Sequence, residues 1–359
     1  MNKTALLMGA VALMALARCT SSKEANDDIG KFTVTSPMLM DTSYTREYVT
    51  QIQSLQNVEL RAMVKGYIQT INVDEGQLVK LGQVLFTIMP AEYEAELQKA
   101  KAEAKTAELE WENTKTLAEK SIVSQTELAI AQAKLDQAKA EVALAELYLS
   151  FTKVKAPFDG VIDRIRFKIG SLIDEGTLLT TLSNNKEVYA YFNVSESEYL
   201  EYKTRNDEGA KVRLLLANNQ LHPYQGTIET IEGEFDNNTG NIAFRARFPN
   251  PDLLLKHGET GKILMTIPIR HALIIPQKAT FDIQGRVYVY VVDKNNVVKA
   301  KSITVSQTLP NIYVVGPGLS ENDKILLEGL QSVKDDDKVL TYYVPPREVL
   351  GKLQLITPQ

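Results

Sequence analysis

The sequence predicts a mainly β, elongated protein of several domains into which a long α-helical coiled-coil hairpin is inserted. One observation is an internal repeat, because two segments of the chain match at a constant offset of 94 residues. Another is the stretch that separates them, residues 91–152, which contains neither glycine nor proline. The length of 359 residues is sufficient for about two to four domains with buried cores.

The repeat is defined by glycines and aliphatic residues that keep the same register in both segments. The matching glycines are Gly66 with Gly160, Gly76 with Gly170, and Gly82 with Gly176. The matching aliphatic residues are Ile68, Ile71, Val79 and Leu85 in the first segment and Ile162, Ile165, Ile173 and Leu179 in the second. Short apolar runs between glycines predict strands joined by tight turns, since glycine adopts positive φ angles that other residues resist. Each segment therefore predicts half of one small β domain.

The stretch between the two halves has the composition of a helical coiled coil. Apolar and small residues recur in steps of three and four, which is the spacing of a packed helix seam. The seam positions are Tyr93, Leu97, Ala100, Ala104, Ala107, Trp111, Thr114 and Ala118, then Leu128, Ala131, Leu135, Ala138, Val142, Ala145 and Leu149. Residues 121–124 interrupt the pattern, and Ser124 followed by Glu127 predicts a capped start for the second helix. Two helices rising about 1.5 Å per residue should form an antiparallel hairpin about 43 Å long, with Leu109 and Leu117 on outer faces.

The amino terminus has the order of a secretory signal peptide. Its apolar run, residues 5–17, reaches only about 20 Å as a helix against a bilayer core of about 30 Å. The single cysteine, Cys19, follows directly and resembles the lipidated cysteine of a bacterial lipobox, with Leu16 and Ala17 fitting that pattern and Arg18 departing from it. We expect residues 1–19 to be a lipoprotein signal peptide, Cys19 to be lipidated and residues 20–31 to be a tether. A plain signal peptide with an incidental cysteine is the alternative.

Composition and missing motifs argue against several classes of protein. The 40 basic and 45 acidic residues give a formal net charge of −5, which argues against a nucleic-acid partner. One cysteine permits no internal disulfide, and the three histidines form no zinc motif. No phosphate-binding loop, dinucleotide fingerprint or nucleophile elbow occurs. We expect no enzyme activity, catalytic residue, metal or cofactor, and we interpret residues 335–337 as a solvated turn and His222, His257 and His271 as loop residues.

A β domain with glycine turns that is divided by a helical hairpin resembles the periplasmic adaptor, or membrane fusion protein of the hemolysin-D type, of RND tripartite efflux pumps. The resemblance extends over nearly the whole mature chain. It implies a split lipoyl-like (barrel-sandwich) domain, an α-hairpin, a β-barrel domain and a membrane-proximal β domain. The expected ranges are 58–90 and 153–185 for the lipoyl-like domain, 91–152 for the hairpin, 46–57 and 186–268 for the β-barrel, 32–45 and 269–345 for the membrane-proximal domain, and 346–359 for a C-terminal tail.

The resemblance also implies partners. Such an adaptor links an inner-membrane RND transporter to an outer-membrane TolC-like channel, exports drugs or other small molecules, and is held in the periplasm at the inner membrane by acyl chains. It assembles as a homo-hexamer, a trimer of dimers. Channel docking is expected at the hairpin tip, at Leu117, Ser121, Ile122 and Ser124. The family carries an arginine four residues before that leucine, where this chain has Asn113.

Two alternatives stay open from the sequence. The same domains could serve an adaptor of an ABC-type exporter, although a single hairpin of moderate length and a lipoprotein start favour the RND class. A lipoyl or biotinyl carrier would hold its cofactor on a lysine of the hairpin turn, which is where the helical residues are inserted. Neither Lys65 nor Lys155 stands in a Met-Lys tip, so carrier function is the weaker interpretation.

Overall fold

The computed structural model describes residues 31–353, apart from 206 and 208. The predicted signal peptide, the predicted lipidation site Cys19 and residues 20–30 of the tether lie outside the described residues. So do residues 354–359 of the predicted tail. The chain divides into two compact units, one formed by Thr45–Thr266 and the other by the described parts of Met1–Tyr44 and Ile267–Gln359.

Strands predominate in the described residues, and two long helices interrupt them in the middle of the chain. The strands are β1 (Lys31–Thr35), β2 (Met38–Arg61), β3 (Gly66–Ile71), β4 (Leu78–Val79), β5 (Val84–Ile88), β6 (Lys153–Lys155), β7 (Gly160–Ile162), β8 (Leu172–Ile173), β9 (Leu178–Ser195), β10 (Lys211–Leu216), β11 (Gly226–Ile231), β12 (Asn241–Pro249), β13 (Thr260–Pro276), β14 (Thr280–Ile283), β15 (Arg286–Val292), β16 (Val298–Ser302), β17 (Val305–Leu309), β18 (Ile312–Val315), β19 (Lys324–Leu326) and β20 (Leu340–Tyr343). The helices are α1 (Ala91–Glu119), α2 (Gln125–Phe151), α3 (Glu196–Arg205) and α4 (Pro346–Lys352), with a 3₁₀ turn at Gln277–Ala279. The predicted mainly β fold class is confirmed.

The two halves of the repeat form two four-stranded layers by exchanging strands. One layer is a separate sheet with the order β6-β5-β3-β8, and the other is the β2-β9-β7-β4 part of a ten-stranded sheet of the described residues. Leu78 of β4 pairs with Val161 of β7, while the residues 94 positions away, Leu172 of β8 and Tyr67 of β3, make the equivalent pair. The domain therefore has an internal two-fold relation. Neither half is complete alone, because each layer takes its two central strands from one half and its two outer strands from the other.

The hairpin replaces the turn between two paired strands of this domain. Thr87 of β5 pairs with Lys153 of β6, and the Ile88 N–H donates to the Thr152 carbonyl at 2.8 Å beside the point where the helices leave. The predicted seam is confirmed, because all its positions are buried or half-buried and most residues between them are exposed. Near the base Leu97 packs in one cluster with residues of α2. Packing of an amphipathic seam, rather than helix propensity alone, stabilises helices of this length.

The later part of the same unit, formed by β9 to β13 and α3, has an aromatic core. The rings of Phe192 and Phe244 lie 5.6 Å apart between their centroids, and Tyr202 of α3 packs edge-on against Phe244 at 5.2 Å. Strand β9 is followed directly by the short helix α3. His222 lies in the loop after β10, as predicted, but it is buried, and its Nε2 lies 2.9 Å from the Pro249 carbonyl oxygen.

The other unit combines the start of the described chain with its end. Val34 of β1 pairs with Leu326 of β19, and Phe32 of β1 pairs in parallel with Thr341 of β20, so β1 lies between strands that are about 300 residues later. Residues 346–352 of the expected tail form α4, and its Val349 is buried against the core of this unit.

Candidate interaction sites

The hairpin tip is built by a helix ending that lacks the usual glycine. Helix α1 ends at Glu119, and Ser121 then adopts a left-handed conformation with φ of 56°. The Ile122 N–H donates to the Leu117 carbonyl and the Ser121 N–H donates to the Ala118 carbonyl, both at 2.9 Å. This pair of hydrogen bonds is a Schellman motif, in which glycine normally takes the left-handed position. Sequence reasoning missed the motif because that glycine is absent.

The second helix begins at the predicted cap. Ser124 is in an extended conformation, and its Oγ accepts a hydrogen bond from the Glu127 N–H at 3.1 Å. An N-cap serine satisfies one of the four N–H groups that have no partner within the helix. The carboxylate of Glu127 in the first turn also has a favourable interaction with the helix dipole.

The tip presents two exposed aliphatic side chains on this fixed backbone. Leu117 is 39% exposed and Ile122 is 65% exposed, so both are accessible to a partner. They occupy the third position from the end of α1 and the second position after its cap, which in a Schellman motif commonly contact each other. Leu117 thus combines a backbone position inside the helix-ending motif with an exposed apolar side chain.

A shallow groove runs beside the tip and collects polar side chains from both helices. Asn113 of α1, the cap residue Ser124 and Lys134 of α2 line it, so the structure brings Asn113 together with the expected docking residue Ser124. Leu117 is not among the lining residues. One turn after the half-buried Trp111, the Lys115 ammonium lies 5.0 Å from the indole centroid, which is within range of a cation–π interaction.

The repeat glycines occupy four equivalent turns and two close approaches. Gly76, Gly82, Gly170 and Gly176 have φ between 78° and 88°, as their predicted role in tight turns requires. The Gly76 N–H donates to the Ile162 carbonyl, and in the two-fold equivalent bond the Gly170 N–H donates to the Ile68 carbonyl, both at 2.8 Å. The turn glycines thus hold the two halves together across the internal two-fold.

The remaining pair of repeat glycines corrects the sequence-based explanation in part. Gly66 has a φ of 147°, but Gly160 has no positive φ. A Cβ at Gly160 would lie 2.7 Å from the Ser183 carbonyl oxygen of the neighbouring strand. Gly160 is therefore required by the close approach of two backbones and not by a left-handed conformation.

One carboxylate fixes the turn opposite the hairpin base. The Leu81 N–H donates to Asp159 Oδ1 at 2.9 Å, and Lys186 Nζ lies 3.3 Å from Oδ2. The hydrogen bond from the Leu81 backbone, together with the Lys186 ammonium, holds the pKa of the Asp159 carboxyl below its usual range. The equivalent residue of the first half is Lys65, whose carbonyl accepts a hydrogen bond from the Tyr93 hydroxyl at 2.9 Å.

The geometry argues against a cofactor carrier. The turn between β5 and β6, where a carrier would present its lysine, is replaced by α1 and α2.

Among the described residues, no helix is long and apolar enough to cross a membrane. Across the same residues, no group of three or more histidine, cysteine, aspartate or glutamate side chains could hold a metal ion.

A lipoyl-like β domain that is split by a helical hairpin and followed by further β domains defines the class of periplasmic adaptor proteins. Three family descriptions match the chain in sequence order. They are "RND MFP, barrel-sandwich hybrid domain" for residues 56–183, "RND MFPs, beta-barrel domain" for residues 187–268, and "RND MFPs, C-terminal permuted SH3 domain" for residues 271–332.

Similar proteins agree with these matches. The efflux pump periplasmic linker BepD of Brucella suis biovar 1 is 32% identical over 322 residues, which cover 81% of this chain and 80% of that protein. The multidrug/solvent efflux pump periplasmic linker protein MepA of Pseudomonas putida is 31% identical over 346 residues, covering 91% of this chain and 89% of that protein. A solved MacA-MexA chimera that contains the Pseudomonas aeruginosa MexA α-hairpin domain has the same fold, with a TM-score of 0.64 and 23% identity over 81% of this chain and 98% of that one.

The chain therefore belongs to the periplasmic adaptor, or membrane fusion protein, family of RND efflux pumps. It is a periplasmic protein that functions as an adaptor in RND efflux, and its named relatives are linkers rather than enzymes. Neither the ABC-exporter alternative nor the carrier alternative is favoured by these matches.

Proposed function

We propose that this protein is a non-enzymatic adaptor that joins an inner-membrane RND transporter to an outer-membrane TolC-like channel for the export of drugs or other small molecules. Acyl chains on Cys19 anchor it to the inner membrane, and six copies, as a trimer of dimers, surround the transport path. The hairpin tip binds the channel. The observation that carries this proposal is the tip itself, where Leu117 and Ile122 are exposed on a backbone fixed by two helix caps.

Exposed apolar side chains at the end of a rigid element are suited to insertion between the helices of a partner. Insertion of exposed apolar side chains into an apolar groove of a partner is a common mode of helix recognition. The Ser121 and Ser124 side chains stand beside the aliphatic pair and can supply polar contacts. Because Asn113 replaces the family arginine, this dock relies on apolar contact more than on charge.

The test of tip docking uses Leu117→Asp together with Ser124→Asp as the sole adaptor in the host strain. Aspartate is also a good N-cap, so the second substitution adds charge while keeping α2 capped. We expect loss of drug resistance and of crosslinking to the outer-membrane channel, with normal expression. The matched control is Leu109→Asp, because Leu109 is an exposed leucine about two turns earlier on α1 (49% exposed, against 39% for Leu117). Full resistance in the double variant, or equal loss in the control, contradicts tip docking.

The test of the anchor is acylation of Cys19. At about 0.8 kcal/mol per buried CH₂ group, two or three acyl chains hold a protein on a bilayer, whereas a single chain is marginal. We expect palmitate labelling of the wild-type chain and release of Cys19→Ser into the soluble periplasmic fraction. Unlabelled wild-type protein, or unchanged membrane association of the variant, contradicts lipid anchoring.

A further inference from the structure

The two-fold relation of the split domain leaves two equivalent edge strands without a neighbour in the described residues. Strand β4 pairs only with β7, and β8 pairs only with β3. At the centre of these edges, Leu78 and Leu172 are 60% and 59% exposed. An exposed sheet edge with an apolar centre is a place where another chain can bind.

The charges at the ends of the two edges are inverted between the halves. The turn before β4 carries Asp74 and Glu75, whereas the equivalent turn before β8 carries Lys168 and Ile169. The turn after β4 carries Lys80 and Leu81, whereas the equivalent turn after β8 carries Asp174 and Glu175. Along the chain, the β4 edge therefore runs from acidic to basic and the β8 edge runs from basic to acidic.

These charged side chains form no ion pair within the described part of the molecule, although Asp74 Oδ1 accepts a hydrogen bond from the Glu75 N–H at 2.8 Å and Glu75 Oε1 accepts one from the Ile165 N–H at 2.9 Å. Asp74, Lys80, Lys168 and Asp174 are all exposed, and none of them has an ion-pair partner among the described residues. A different inverted pair of the repeat, Lys65 and Asp159, behaves otherwise, because Asp159 is paired with Lys186 of the same chain. The charges at the edges are thus available to a partner.

We propose that the β4 edge of one copy of this chain binds the β8 edge of a second copy. With the two edges side by side in the same direction, Asp74 faces Lys168 of the second copy and Lys80 faces its Asp174, with Leu78 and Leu172 between the two charge pairs. The opposite direction would place Asp74 against Asp174 and Lys80 against Lys168. Charge complementarity of this kind sets partner choice and orientation.

Side-chain size favours contact between unlike edges over contact between like edges. Beside Leu172, the β8 edge carries Tyr67, which is 50% exposed, whereas the equivalent residue beside Leu78 is the half-buried Val161. A large side chain on one edge therefore meets a smaller one on the other. Contact between two different faces of identical chains can close into a ring. Only the closed ring rests on the proposed function. The edge contact names the two faces of each copy that would form this ring.

The experiment is thiol crosslinking of the full chain in intact cells with a short bismaleimide. Leu78→Cys and Leu172→Cys are introduced singly and together, and the parent chain with Cys19 alone is the background control. We expect neither single variant to crosslink, a mixture of the two to give dimers, and the double variant to give a ladder of higher oligomers. Dimers from either single variant, or no ladder from the double variant, would overturn the proposal.

Charge exchange in the double-cysteine chain tests the specific pairing. Lys80→Asp or Asp174→Lys alone should lower the crosslinked yield about tenfold, since an attraction becomes a repulsion, and the two changes together should restore it. Lys256→Asp and Asp252→Lys make the same charge changes on exposed positions of the loop between β12 and β13, which belongs to neither edge, so they should leave the ladder intact. Failure of the double change to restore the ladder overturns the pairing.

Drug resistance of the same strains separates this inference from the proposed function. A cysteine-substituted chain that supports resistance but forms no ladder overturns the edge contact and leaves the adaptor function standing. If the chain forms the ladder but the drug resistance of the strain does not depend on the chain, the edge contact is upheld and the proposed function is contradicted.

Discussion

Ser121 and Gly160 show how single residues set the geometry of the hairpin and of the split domain. Ser121 takes the left-handed position at the end of α1 although it has a Cβ, and Gly160 lies where two strands approach closely. A left-handed conformation costs an L-residue about 1–2 kcal/mol relative to a right-handed one, and glycine avoids most of this cost. We therefore expect glycine to stabilise the protein at position 121 and a residue with a Cβ to destabilise it at position 160.

At the tip, Ser121→Gly should stabilise the end of α1 by about 1 kcal/mol, because it relieves the left-handed strain. Hydrogen exchange of the Ile122 amide, which donates to the Leu117 carbonyl, should slow about fivefold. The control is Ala129→Gly in α2, where the new glycine should cost about 1 kcal/mol of helix stability. Faster exchange at Ile122 in Ser121→Gly would show that the serine side chain stabilises the tip.

In the split domain, Gly160→Ala should lower the free energy of unfolding by about 2 kcal/mol, because its Cβ would press on the Ser183 carbonyl. Chemical denaturation followed by circular dichroism measures this loss. Gly233 is the matched control, since a Cβ there meets nothing within 4 Å and its φ is not positive. Gly233→Ala should stay within about 0.5 kcal/mol of the wild type, and an equal loss in both variants would contradict the close-approach explanation.

At the scale of elements, the hairpin is an insertion into a complete β domain. Strands β5 and β6 of this β domain pair directly at the hairpin base, so the domain does not need the helices to bring the two strands together. The seam residues of α1 and α2 are buried mostly by packing against each other within the hairpin. This independence explains how one domain can carry a long projecting element without losing its core.

Replacing the hairpin with Asn-Gly between Ile88 and Thr152 should leave a folded β domain, because this dipeptide suits a two-residue turn between paired strands. Loop-closure entropy changes by only about 0.6 kcal/mol per doubling of loop length, so removal of the helices should cost the domain mainly the contacts of Tyr93 and Phe151, which pack against its core. Circular dichroism should show loss of the helical signal and retention of cooperative unfolding. A chain without cooperative unfolding would contradict the inserted-hairpin architecture.

At the scale of the molecule, the two compact units differ in how the chain builds them. The unit Thr45–Thr266 is continuous in sequence, whereas the other unit needs β1 from the start of the described chain between β19 and β20 from its end. The first unit can therefore fold from one uninterrupted segment. The second must wait for residues that are about 300 positions apart.

Expressed alone, residues 45–266 should fold and unfold cooperatively, as followed by circular dichroism and by the fluorescence of the single tryptophan, Trp111. Residues 267–353 alone should not fold, because removal of β1 opens the middle of their sheet. Addition of a peptide covering residues 31–44 should restore structure to that fragment. A stably folded fragment 267–353 without the peptide would contradict the central role of β1.

Much of the fold was determined by patterns that the sequence carries locally. The seam from Tyr93 to Leu149, the cap at Ser124 and the glycine turns depend on neighbours within a few residues, so spacing alone predicts them. The inserted hairpin and the two-half domain follow from these same patterns. The hairpin-tip residues could be nominated by resemblance, since their exposure depends mainly on where the helices end.

Only the tertiary structure decided how distant segments pair. Exchange of edge strands between the halves, the close approach at Gly160 and the burial of His222 depend on backbones that meet from far apart in sequence. The same holds for β1, which lies between β19 and β20. A residue's own pattern specifies its strand or turn, but its neighbour across a sheet is selected by the packing of the whole core, and that selection leaves no periodic signal in the sequence.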